Sequence, residues 1–244
     1  MTDINLELVA ADAAVAVKRQ DIVVIVDVLR ASSTIVTALA NGAQAIMPLR
    51  SVEDARRRKR ANPEYLLAGE RHGLRPRGFD LGNSPLEYTR ERVENKGILL
   101  TTSSGTQALA AAREAPEIVV GSFLNMTAVS YVVKQLSKEE ERGITIVLSG
   151  KHGKFSLEDF LCGGAFVALL KEEMDRCSDT AWVAYLSYQA SERRLLDTIL
   201  MGNHAKELVN LGLSEDVRFC CTVDRYVVVP VLESSWVVER KQSN

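Results

Sequence analysis

No stretch of this 244-residue chain is apolar for long enough to span a membrane. The first twenty residues also lack the basic start, apolar middle and small-residue cleavage site of a secretory signal. A cytoplasmic location is therefore expected, with no membrane partner. Excess positive charge is absent too: 30 Lys and Arg against 32 Asp and Glu leave a net charge of -2, the wrong balance for displacing counterions from a nucleic acid. The one basic run, ARRRKRAN, has Glu53 and Asp54 four residues before Arg57 and Arg58 and reads as a solvated helix face. Cysteine is scarce, and Cys162, Cys177, Cys220 and Cys221 form no CxxC pair; adjacent cysteines bridge poorly, so all four are expected as reduced thiols. His72, His152 and His204 fit no zinc spacing, and each suits a structural hydrogen bond or a general acid. No Pro/Ser-rich linker divides the chain, so residues 1–244 are expected to form one unit.

What the chain has instead is an alternation of short β-branched runs and longer amphipathic stretches, with 46% hydrophobic residues to build a core. Strands are expected at 21–28, 44–49, 64–69, 97–102, 117–122 and 144–149, and their near-continuous apolarity suits burial on both faces. Helices are expected between them and after Ser156, where Ser156 and Asp159 have capping-box spacing. AWVAYLSYQASERRLLDTILM and HAKELVNLG read as further helices. VRFCCTVDRYVVVPVLE reads as a closing strand or hairpin, with Pro230 at an edge. The sum is an α/β fold of three layers, α/β/α, with a largely parallel or mixed sheet. Residues 22–73 and 98–153 compare as an internal repeat ending in AGERHG and SGKHG. Such a repeat would give two intimate lobes with similar loops on one cleft, although α/β units resemble one another in any case.

Chemistry concentrates in three loops. GERHGLRPRGFDLGNSP (69–85) sets Glu70, Arg71, His72, Arg75, Arg77 and Asp80 among glycines and prolines, a mixture that neither a core helix nor a central strand accepts. Glu70 and Asp80 are hard oxygen donors for a cation such as Mg2+, and the arginines suit anionic oxygens; a salt-bridged surface loop would use the same residues. In DVLRASST (27–34), Asp27 and Arg30 end an apolar strand, and Ser32, Ser33 and Thr34 open a helix whose free amides favour an anion. Alternatively, Asp27 pairs with Arg30 and the hydroxyls cap the helix. TTSSGT (101–106) gathers Thr102, Ser103, Ser104 and Thr106 around Gly105. It could cradle a phosphate or sulfonate, or only cap the next helix; it has neither Walker spacing nor a lysine.

Together, VDVLRASSTIVTALANGA, AGERHGLRPRGFDLGNSPLEY, LLTTSSGTQAL, GSFLNMTAV, GKFSLEDFLCGGA and VRFCCTVDRYVVVPVL, spread in order from about residue 20 to residue 232, resemble the 2-phosphosulfolactate phosphatases. The resemblance implies Mg2+-dependent hydrolysis of 2-phospho-3-sulfolactate to 3-sulfolactate and phosphate, in coenzyme M or sulfolactate metabolism, on an α/β/α layered fold. Residues and resemblance meet on one expected site. Asp27, Glu70 and Asp80 hold the metal, and Asp27, Arg30 and Arg71 act on the phosphate. Ser32, Ser33, Thr102, Ser103, Ser104, Gly105 and Thr106 bind a small anionic substrate, phosphorylated and sulfonated. TTSSGT stands where the family more often has TTTNGT, and SGKHG places Lys151 and His152 where less basic residues are usual. Another phosphorylated hydroxy acid as substrate, or capture of an anionic metabolite without turnover, are the alternatives. A homo-oligomer is compatible with the sequence.

Overall fold

The computed structural model describes residues 3–173 and 176–240. Among them, ten strands form one sheet: β1 (Asp3–Glu7), β2 (Ile22–Val26), β3 (Ala45–Leu49), β4 (Leu66–Gly69), β5 (Gly97–Thr101), β6 (Ile118–Gly121), β7 (Ile144–Leu148), β8 (Arg176–Cys177), β9 (Pro230–Glu233) and β10 (Trp236–Glu239). All six expected strands are present; β1, β8 and β10 lie outside every expected strand. The order is β4-β5-β3-β10-β9-β6-β2-β7-β1-β8. β4, β5 and β3 are parallel to one another, as are β6, β2, β7, β1 and β8. The antiparallel hairpin β9–β10 joins these two blocks, which consequently run in opposite senses.

Alternation along β2 assigns the layers. Ile22, Val24 and Val26 pack with Ile144, Ile146 and Phe166, whereas Val23 and Ile25 pack with Ile35, Ile98 and Ile118. Helices Met126–Glu140 and Leu157–Leu170 cover the first face, and Ala13–Arg19, Ala31–Ala40 and Gly105–Ala111 cover the second. Helix Val52–Ala61 closes a third, smaller core over Met47, Leu67 and Leu99. This is the expected three-layer α/β/α fold. Helix Ala31–Ala40 can be buried almost end to end despite its polar composition, because Ser32, Ser33, Thr34 and Thr37 each donate to a backbone oxygen, those of Ile25, Val28, Asn83 and Ser33.

The two runs compared as a repeat share one element order, β2–β3–β4 and β5–β6–β7, and they interlock. β5 sits between β4 and β3, and β2 sits between β6 and β7, so the first strand of each run completes the block of the other. Both runs end in the same turn. Arg71 and Leu74 exchange N–H···O bonds of 2.9 and 3.1 Å around His72 (φ +54°) and Gly73 (φ +80°). Lys151 and Lys154 exchange bonds of 2.9 and 3.0 Å around His152 (φ +51°) and Gly153 (φ +71°). Two successive positive φ angles make a type I′ hairpin turn, in which glycine at the second place is unstrained.

Elsewhere tertiary contacts override local pattern. Ser214–Cys220 is a helix with Val217 and Cys220 buried one turn apart, and the strand expected over this segment begins only at Pro230. β9 lies inside the sheet between β10 and β6, not at an edge; Pro230 fits as its first residue. The Ser156–Asp159 capping box does not form: the Asp159 carboxylate turns away to accept from the amides of Val28 (2.7 Å) and Gly150 (3.1 Å). The single helix expected over 181–201 divides at Glu192–Arg194 into Asp179–Ser191 and Leu195–Ile199. Among the described residues, no helix is long and apolar enough to cross a membrane.

Candidate active site

A cavity of about 150 Å3 lies at the carboxyl ends of β2, β4, β5 and β7, the position where α/β sheets free their loops for ligands. Asp27 and Arg30 enter it from the turn after β2. Glu70, His72 and Gly73 come from the hairpin after β4, Thr102, Ser103 and Ser104 from the turn after β5, and Lys151 and His152 from the hairpin after β7. Both hydroxyl turns and both hairpins thus reach one pocket. Asn83, Asp159, His204 and Glu207 complete its polar lining.

Asp27 is almost wholly buried. Its Oδ1 accepts from the Ala31 amide at 3.0 Å, and its own amide donates to Ser32 Oγ at 2.9 Å. Burial pushes its carboxyl up to about 6; the Ala31 amide and the His204 charge oppose this, and the charges of Glu70 and Glu158 add to it. The other oxygen faces Gly105, where a Cβ would stand 2.9 Å from Oδ2 and 2.5 Å from the Ala31 Cβ, so a side chain there would collide with the carboxylate. Burial, with the Glu158 and Asp27 charges, also pushes the Asp159 carboxyl well up. Two neighbouring acids with a hindered negative charge mark a place suited to a cation.

Glu70 is held by two backbone amides, Ser103 to Oε1 at 2.7 Å and Gly73 to Oε2 at 2.9 Å, which tie the turn after β5 to the hairpin after β4. Arg30 lines the pocket from a fixed position: Nη1 meets Asp216 Oδ2 at 2.5 Å and Nη2 donates to the Gly73 carbonyl at 2.6 Å. Ser84 Oγ holds the other Asp216 oxygen at 2.7 Å. Lys151 is ion-paired with Glu207; burial draws its ammonium down, against the opposite pull of Glu158 and Glu70.

The remaining expected site residues are placed differently. Arg71 lies outside the lining, where Nη2 donates to Thr101 Oγ1 (2.7 Å) and Nη1 to the Glu70 carbonyl (2.6 Å), so it braces the hairpin. Ser32 and Ser33 spend their hydroxyls on backbone groups, and the Ala31 and Ser32 amides at the helix start are taken by Asp27. Thr106 bonds back to the Thr102 carbonyl, leaving Ser103 and Ser104 as the hydroxyls of this turn that have no protein partner among the described residues. Asp80 is not in the pocket: its carboxylate accepts from the Leu67 amide at 2.7 Å, sits 3.5 Å from Lys59 Nζ, and is 43% exposed.

Residues that sequence reasoning left unplaced come from the helices. His204 Nδ1 lies 2.7 Å from Glu158 Oε1, a carboxylate only 1% exposed. Burial drives the Glu158 carboxyl up, but the hydrogen bond and charge of His204 outweigh it and hold the group below its ordinary value. His204, Glu207, Leu208 and Leu211 line the pocket at helical spacing, the one signal by which this face could have been found. Asn83 lies within the GFDLGNSP motif.

Among the described residues, no three His, Cys, Asp or Glu side chains converge as a ready metal cage. The donors nevertheless fit Mg2+, which takes one or two protein carboxylates and completes its shell with water and substrate oxygens. Asp27 and Glu70 line the pocket, and the buried Asn83 Oδ1 has no hydrogen-bond partner.

Over most of its length the chain is similar to known proteins. Residues 9–235 match the family model described as 2-phosphosulpholactate phosphatase. A protein of Thermotoga petrophila is 44% identical over 209 residues, covering 86% of this chain and 88% of its own. Proteins of Pseudothermotoga lettingae and Clostridium novyi are 43% and 36% identical, covering 88% and 93% of this chain and 91% and 95% of theirs. All three bear the name probable 2-phosphosulfolactate phosphatase. With the match running across nearly all its strands and every loop of the pocket, the chain belongs to the 2-phosphosulfolactate phosphatase family of phosphoric monoester hydrolases.

Proposed function

We propose that this protein hydrolyses 2-phospho-3-sulfolactate to 3-sulfolactate and phosphate in a Mg2+-dependent reaction, as a step of coenzyme M or sulfolactate metabolism. The observation that carries the reading is the meeting of both hydroxyl turns and both hairpins, acidic and basic, on one small pocket in a chain whose relatives bear that phosphatase's name. The substrate is a polyanion, and buried carboxylates alone would repel it.

Asp27 and Glu70 would hold Mg2+, with Asn83 Oδ1 as a neutral oxygen donor. When bound, the ion supplies positive charge to the phosphoryl oxygens. Asp80 is left out of this set because its carboxylate is engaged outside the pocket. The hydroxyls of Ser103 and Ser104 donate to phosphoryl oxygens. Arg30, which Asp216 and Gly73 keep from moving, contributes a static positive charge that needs no reorganisation during the reaction. Lys151 and His152 receive the carboxylate or sulfonate, Lys151 exchanging Glu207 for the substrate anion.

The test is phosphate release from 2-phosphosulfolactate with Mg2+, with a chelator, and in Asp27→Asn once its fold has been verified by circular dichroism. Release that needs Mg2+ and vanishes in the variant is the expected result. No release from folded wild type with Mg2+ would move the assignment to other phosphorylated hydroxy acids.

A further inference from the structure

Glu158 and His204 are 46 residues apart, on two different helices, and the proposed reaction above leaves both unused. Their bond is specific: Nδ1 of His204 meets Oε1 of a carboxylate that is 1% exposed. Nε2 of the same ring has no hydrogen-bond partner among the described residues, and the ring forms part of the pocket wall with Asp27. One nitrogen is therefore fixed by a buried anion while the other is left for whatever occupies the cavity.

We infer that His204 is the general acid of the reaction, delivering the Nε2 proton to the ester oxygen that leaves phosphorus, with Glu158 as the positioning residue that orients the ring through Nδ1. The inference rests on the phosphatase reading. The leaving group is the alkoxide of a hydroxy acid that already bears a carboxylate and a sulfonate, and expelling it unprotonated would add a third negative charge. In the step, the P–O ester bond breaks, its electron pair stays on the ester oxygen, and that oxygen takes the Nε2 proton. A water oxygen forms the new bond to phosphorus, and the proton this water gives up restores the imidazolium for the next turnover. The buried Glu158 carboxylate accepts from Nδ1–H and so fixes the tautomer and the orientation of the ring. The other titratable and charged groups of the same pocket are Asp27 and Arg30 after β2, Glu70 and His72 on the first hairpin, Lys151 and His152 on the second, Asp159 on the helix of Glu158, and Glu207 on the helix of His204 itself.

The test compares wild type, His204→Gln and Glu158→Gln on 2-phosphosulfolactate across pH and on p-nitrophenyl phosphate, whose phenolate leaves without a proton. Thermal melts establish that the variants are folded, and His204→Asn serves as a second variant. His204→Gln should lose about 10²–10⁴-fold in kcat on the alkyl ester and less than about tenfold on the aryl ester. The alkaline decline of kcat should flatten in His204→Gln, and Glu158→Gln should show the same bias of its loss toward the alkyl ester. Equal losses on the two esters, or an alkaline decline unchanged in His204→Gln, would overturn the inference; if wild type ignores the aryl ester, the pH profile decides. Absence of release from wild-type protein on the alkyl ester would instead remove the phosphatase reading, and this inference with it.

Discussion

The Arg30 guanidinium and the Asp216 carboxylate meet at 2.5 Å across 186 residues of sequence, with both side chains less than 5% exposed. The pair anchors the end of β2 to the helix Ser214–Cys220 and keeps a positive charge at the pocket wall. Taking one partner away strands the other as a buried charge, a loss of about 3–5 kcal/mol. Asp216→Asn should therefore lower the urea midpoint sharply. Arg30→Met with Asp216→Leu should recover much of that stability while phosphate release, deprived of the Arg30 charge, falls far below wild type; a double variant no more stable than Asp216→Asn would contradict this account.

Asp27 carries a stability penalty that function requires. Raising its carboxyl from 3.8 to about 6 disfavours the charged form by about 3 kcal/mol. Between about pH 4 and pH 6 the folded state keeps a proton that the unfolded chain has released, so stability from this group falls as pH rises through that window. In chelator, Asp27→Asn should melt several degrees above wild type at pH 7, with a gap that narrows toward pH 5. Asn preserves the acceptor for the Ala31 amide. Melting curves at pH 5, 6 and 7 that show no gap, or the reverse, would refute the prediction.

Gly105→Ala places a methyl group against Asp27 Oδ2 and Ala31 Cβ. Misplacement of a reacting group by about 1 Å is enough to cost roughly 10²-fold. The variant should lose about that much in kcat and remain folded by circular dichroism, since the helix Gly105–Ala111 gains a better helix former at its start.

Asp80→Asn separates neighbourhood in sequence from membership of the site. The exposed pair with Lys59 is worth no more than about 1 kcal/mol. Phosphate release and its Mg2+ dependence should match wild type in a standard assay; a large loss would put Asp80 back among the metal-holding residues.

How much of this was legible in the sequence depends on how local each cause is. β2 reads IVVIV because it is buried on both faces, and such a run announces itself. Asp27 and Glu70 stood out because each follows directly on a strand end. Asp80 could not be placed from sequence because the loop that carries both acids doubles back, pairing Asp80 with Leu67 outside the cavity. Ser32 and Ser33 looked like anion donors, yet a helix buried almost throughout has no spare hydroxyls. His204 could be named as a hydrogen-bonded residue or an acid, but its pairing with Glu158 was out of reach because only tertiary packing joins them, and Asp159 left its capping role for amides of two other loops.

The interlocked order of β2 and β5 has a mechanical consequence. A cut in the connection between β4 and β5 would yield two fragments, each lacking the strand that fills the centre of its own three-stranded group. Each fragment would expose raw backbone edges that its counterpart alone can saturate, so they should survive as a mutually templated pair or precipitate. The polypeptide behaves in this respect like an exchanged dimer threaded onto one chain, and its cavity, walled by loops from both runs, exists only when the exchange is complete.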